Sequence, residues 1–95
     1  SIRVESLSSD EFSVILERGN NLSFVVFLSD DYYKDLTLFR IEKKRLVEFS
    51  ISFLLQRLTA DSIRQVFDVS LIRKHFPEFE SEVKAYCDSQ LDFKV

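Results

Sequence analysis

The chain has 95 residues, 45% of them apolar and ten of them Phe, which is enough for the core of one small domain. Its net charge of -3 argues against nonspecific nucleic-acid binding, which needs a cationic face. A single cysteine, Cys87, and a single histidine, His75, exclude an internal disulfide and any multi-cysteine metal site.

No apolar run approaches the ~18 residues of a membrane span, so no membrane insertion of this segment is expected. A start at Ser1 and the lack of any Met suggest a single domain, residues 1–95, excised from a longer protein.

Taken in order, "IRV" (Ile2 to Val4) alternates as a short strand does. "SSDEFSVILERGN" then carries helix signals: Ser8 or Ser9 as cap, Asp10 and Glu11 at the positive end, and Gly19 at the close. "LSFVVFL" (Leu22 to Leu28) is apolar on both faces and predicts a strand covered on both sides. From Asp31 to about Lys44 the placement of charge predicts a helix capped by Asp30, with Tyr32, Leu36 and Phe39 inward and Lys43, Lys44 and Arg45 at its negative end. Within it, "LTLFRI" also reads as a strand.

Next, Val47, Phe49, Ile51, Phe53 and Leu55 alternate with Glu48, Ser50 and Ser52, which predicts a strand with Phe53 in the core. "TADSIRQVFDV" predicts a helix capped by Thr59. Pro77 excludes a central strand around it, and "EFESEVKAYC" fits strand and helix alike. "NLS" (Asn21 to Ser23) is a glycosylation sequon, relevant only to a secretory chain.

The order β-α-β-α-β-α resembles a thioredoxin-like domain, most sharply in "VVFLSDDYYKDL". Along the family's strand-to-turn pattern, Leu28 and Ser29 fall on the Phe-Ser pair and Tyr32 on the Trp. Tyr33 and Leu36 take the two cysteine positions, so "YKDL" stands where the redox tetrapeptide would be. Phe27 replaces the buried acidic residue, and the cis-proline position falls on Arg73, with Pro77 four residues later. Residues 2 to 70 carry most of the likeness.

The resemblance implies an α/β fold with a central mixed sheet, order β-α-β-α-β-α-β-β, and helices on both faces. It also implies no catalytic residue, metal or cofactor, because thiol exchange needs an activated thiolate and a resolving thiol. The role would be a redox-inactive interaction or spacer module, similar to the non-catalytic domains of protein disulfide isomerase relatives. Its partner would be another protein or neighbouring domains of the same chain. The compartment implied is the endoplasmic reticulum lumen, with the cytoplasm as alternative.

By analogy with other open α/β sheets, the binding surface would lie where Ser29 to Lys34 meets Val69 to Pro77. Tyr32, Tyr33, Ile72 and Arg73 are the candidate contact residues, an aromatic, aliphatic and cationic mixture that interface centres favour. The alternative is an α+β adaptor domain similar to the RWD-like modules, a meander followed by helices with "LTLFRI" as a strand.

Overall fold

The computed structural model describes residues 1–90. It is an α/β domain built on a four-stranded mixed sheet with strand order β1-β2-β3-β4. β1 (Ile2–Ser6), β2 (Glu11–Leu16) and β3 (Leu22–Phe27) form an antiparallel meander. β4 (Val66–Asp68) then pairs with β3 in parallel. Between β3 and β4 run two helices, α1 (Asp30–Thr37) and α2 (Lys43–Leu55), and a 3-10 turn at Ala60–Ser62. After β4 come a second 3-10 turn at Val69–Leu71, the four-residue α3 (Ile72–His75), and α4 (Phe79–Gln90).

Four expectations from the sequence are corrected. The Ser8–Gly19 stretch forms a hairpin turn and β2, not a helix. Leu7 and Ser8 donate backbone N–H bonds to the Glu11 carbonyl, at 2.8 and 3.2 Å, which closes the turn. Phe12, Val14 and Leu16 then alternate into the core and pair with strands on both sides. Ladder bonds to two neighbours outweigh the local cap signals. Gly19 has no positive φ, so its conformational licence goes unused.

The expected helix from Asp31 to Lys44 is two helices. Ser29, not Asp30, caps α1 by accepting from the Tyr32 N–H at 3.1 Å. α1 ends at Leu38 and Phe39, which have φ of 53° and 62°. Two consecutive bulky residues in the left-handed region cannot continue a helix. Thr37 holds the turn: its hydroxyl donates to the Tyr33 carbonyl at 2.8 Å and accepts the Phe39 N–H at 3.2 Å. Phe39, expected inward, is 63% exposed.

The expected strand Val47–Leu55 is part of α2. Leu46, Val47, Ser50, Ile51, Phe53 and Leu54 are buried, a set that fits a broad helical face better than alternation. The Thr59–Val69 helix is replaced by the 3-10 turn and β4. In "EFESEVKAYC", the reading left open, Phe79, Val83 and Cys87 form the buried stripe of α4. The observed order is therefore β-β-β-α-α-β-α-α, in place of β-α-β-α-β-α-β-β. Arg73 lies in α3 and Pro77 precedes α4, and no described peptide bond is cis.

One further correction concerns β3. Its apolar residues on both faces predicted a strand covered on both sides. Phe24, Val26 and Leu28 join Phe12, Val14, Leu16 and Phe67 in the core, where the buried residues of every described α-helix also lie except Thr37 and Ser50. Ile15, Val25 and Phe27 point the other way and lie outside that cluster, while Val66 is 57% exposed. The sheet is covered on one face only by the described residues.

Phe53 is buried as expected, though on α2. Its ring centroid lies 5.0 Å from that of Phe79 and 5.9 Å from that of Phe76. Phe53→Ala should cost ~3–5 kcal/mol, a large share of the ~5–15 kcal/mol available to a domain of this kind. Urea denaturation of the variant checks it: a midpoint close to that of the parent chain would contradict the packing described.

Candidate functional site

The structure separates the four residues singled out in the sequence. Tyr32 and Arg73 are brought together by Glu80 of α4. The Tyr32 hydroxyl donates to Glu80 Oε2 at 2.8 Å, and an Arg73 guanidinium nitrogen approaches the same oxygen at 3.2 Å. The Arg73 guanidinium also stands 5.3 Å from the centre of the Tyr32 ring. α1, α3 and α4 thus meet at one carboxylate.

Burial is the main reason the Tyr32 phenol ionises well above its ordinary range. The hydrogen bond to Glu80 and that carboxylate's charge push the same way, and Arg73 opposes them. Such a cluster latches three helices together, and it occupies the side chains that a partner would otherwise contact.

Tyr33 lies on the other side of α1. Its hydroxyl donates to the Ile41 carbonyl at 2.6 Å, and its ring meets the edge of Phe39, centroids 5.5 Å apart. Lys43 sits 5.6 Å from the ring centre and also reaches Asp30 and the Ser9 carbonyl, 2.6 Å away. Burial raises the Tyr33 phenol too, with Lys43 opposing. Beside this knot, Leu38 and Phe39 are 65% and 63% exposed.

Ile72 is 4% exposed and belongs to the core, yet it lines a cleft of about 320 Å³. Leu54 and Leu58 form the α2 side of this cleft, Ile63 and Phe67 the β4 side, and Leu71, Ile72 and Phe76 the side that follows β4. Ser62, Arg64 and His75 are its polar lining residues, and all three are exposed. The sequence reading named the Val69–Pro77 segment but missed the cleft, because α2 was taken for a strand and its end was not placed there.

Cys87 is fully buried on α4, and burial pushes its thiol up, with Arg40 opposing. Among the described residues no group of three or more His, Cys, Asp or Glu side chains is arranged to hold a metal ion. No helix among them is long and apolar enough to cross a membrane. No protein-family model matches the chain, and neither a curated protein nor a solved structure matches it.

The Tyr32 cluster has a pH signature. A phenol whose folded pKa is raised favours the protonated folded state, so its stabilisation is complete below the unfolded value of about 10 and is lost as pH rises beyond it. Glu80→Gln should lower the ionisation midpoint of Tyr32 without restoring the ordinary value, because burial remains. Phenolate absorbance with Tyr32→Phe as reference measures this, and an unchanged midpoint in Glu80→Gln would show that the carboxylate plays no part.

Proposed function

We propose that this chain is a non-catalytic protein-interaction module of a larger protein, and that the uncovered face of its sheet is the platform. One observation carries the reading. An antiparallel sheet with one wet face normally alternates apolar inward and polar outward. Here Val25 pairs beside Val66, and Phe27 and Ile15 lie on the same face. Val25, Phe27 and Ile15 are half-buried, Ser13 and Ser23 sit among them, Glu11 and Asp68 border them, and no described helix lies over them. On the β1 side the face turns charged, with Arg3 and Glu5. An apolar patch rimmed by charge marks a surface that another protein covers, whether a neighbouring domain or a separate partner.

Absence of redox activity follows from the same residues that carry the thioredoxin resemblance. β3 leads through Leu28 and Ser29 into α1, and on that resemblance Tyr33 and Leu36 would take the positions of the redox pair. The only thiol, Cys87, is buried with a raised pKa, the opposite of an attacking thiolate. The resemblance to the thioredoxin-like domains is left with that passage alone, since a hairpin of β1 and β2 stands where that fold has a strand and a helix.

A second reading has its own support. A three-stranded meander followed by helices is the shape expected of an RWD-like adaptor. The strand that this alternative places at "LTLFRI" is instead the end of α1 and a turn. Both readings lead to assembly with another protein.

Two measurements test the proposal. Insulin reduction by dithiothreitol should proceed no faster with the chain than without it; turnover like that of a thioredoxin would end the redox-inactive reading. Separately, benzoylphenylalanine in place of Val66, in cells of the source organism, should crosslink to another protein or domain. The same photoprobe at Lys84, on the exposed side of α4, should not, and Phe27→Lys should abolish the Val66 crosslink. Equal crosslinking at both positions, or indifference to Phe27→Lys, would remove the sheet face as the platform.

A further inference from the structure

We infer that the cleft between the end of α2, β4 and α3 is a second binding site, one that takes a short acidic segment of a partner through two neighbouring apolar side chains. It is independent of the uncovered sheet face, because Phe67 of the cleft belongs to the core side of β4.

Size sets the first limit. A cavity of ~150 Å³ lined by aliphatic and aromatic groups accommodates one benzene-sized group. At about 320 Å³ this cleft has room for roughly two. That is the low end of the ~300–1,000 Å³ occupied by drug-sized ligands, and a poor fit for a large cofactor. Two side chains entering together from one segment is a recurring mode of peptide recognition in grooves.

Lining chemistry sets the second limit. Leu54, Ile63, Phe67 and Ile72 are buried at its base, while Leu71 is 36% exposed. Of the three polar lining residues, Ser62 is engaged with Thr59. Arg64 makes no ion pair or side-chain hydrogen bond among the described residues, and neither does His75.

Charge sets the third. On the helix layer Arg40, Lys43, Arg57 and Arg73 each face a carboxylate, while Lys34, Lys44 and Lys84 make no ion pair among the described residues. Arg64 at the cleft makes none, and neither does Lys74 beside His75. Of the carboxylates on the same elements, Asp68 accepts from both the Ser70 N–H and hydroxyl, at 2.9 and 2.8 Å, and Asp61 is exposed. Among the cleft's own lining residues the one formal charge is the Arg64 guanidinium, with no lining carboxylate beside it. An occupant with carboxylates flanking its apolar pair answers that charge, and a basic one is repelled.

Selection of a random phage-displayed peptide library on the immobilised chain tests the inference. Selected peptides should carry adjacent apolar residues flanked by Asp or Glu. Arg64→Glu and Leu71→Glu, both at exposed positions, should each weaken the best peptide by about tenfold or more, and salt should weaken it too. Leu7→Glu, an exposed apolar site on the β1–β2 turn, should leave binding unchanged. Amide NMR spectra confirm that each variant folds. Selection of no peptide, of peptides without acidic bias, or of peptides indifferent to both cleft variants overturns the inference. Binding of dodecanoate with no peptide selected overturns it as well and makes the cleft a fatty-acid site.

Discussion

Strands β3 and β4 run in the same direction, and a chain leaving one must travel back along the sheet before it starts the other. α1 and α2 make that return. The hairpins joining β1, β2 and β3 need no helix, so nothing in the first 27 residues covers either face. Every described α-helix comes after β3 and contributes to one core. A one-sided domain is the direct result of this topology, and its outer sheet face mixes Ile15, Val25, Phe27 and Val66 with Ser13, Ser23 and charged neighbours.

That core depends on α2. It contacts β1 and β2 on one side and α4 on another, which is why so much of its circumference is buried. Ser50 sits in the middle of this burial with no exposure, and its hydroxyl donates to the Leu46 carbonyl at 2.8 Å. Returning the hydroxyl to its own helix satisfies it without a partner elsewhere. Thr37, the other fully buried polar residue, does the same within α1 while bracing the left-handed pair after it. No described buried side-chain polar atom lacks a partner. The left-handed Leu38 and Phe39 carry a conformational cost of order 1–2 kcal/mol each. The Tyr33 ring against Phe39 and the Thr37 bonds hold them in that state.

How much of this was legible depended on whether local and tertiary preferences agreed. β1 was readable from its alternation and β3 from a short run rich in Val and Phe, although the two-sided cover that run implied is absent among the described residues. So was the start of α1 near Asp30 and Asp31, though not its cap, Ser29, nor its end at Thr37. The failures have one form. Ser8, Asp10 and Glu11 suit a helix N-terminus and a hairpin turn equally, and only pairing with β1 and β3 decides. Lys43, Lys44 and Arg45 suit a helix C-terminus, yet they open α2 against its dipole. Lys43 offsets this by reaching Asp30 and the Ser9 carbonyl, contacts invisible in the sequence. In α2 the apolar residues at alternate positions imitate a strand, while Leu46, Val47, Ser50, Ile51 and Leu54 give the helical face. Of the candidate site, the meeting of Tyr32 with Arg73 was legible from the strand-end analogy. Glu80 was not, because α4 had no assigned place.

That missing carboxylate belongs to a larger arrangement at the start of α4. Glu78 and Glu82 both bind Arg57, which follows α2, each at 2.9 Å. Glu80 binds Arg73 of α3 and the Tyr32 hydroxyl of α1. The Arg57 guanidinium also stands over Phe53, 3.5 Å from the ring centre, with Phe76 packed against the same ring. Exposed ion pairs are individually worth about 0–1 kcal/mol. Here three carboxylates from one helix start are shared between the ends of the two elements that flank the cleft. Their acidic charge also suits the positive end of α4. The arrangement holds α3, with Ile72 and the adjoining Leu71 and Phe76, at a set distance from Leu54 and Leu58. A groove whose walls are fixed before binding loses less entropy when it is filled. The acidic network therefore preorganises a cleft whose lining holds none of its carboxylates and includes Arg64, which makes no ion pair among the described residues.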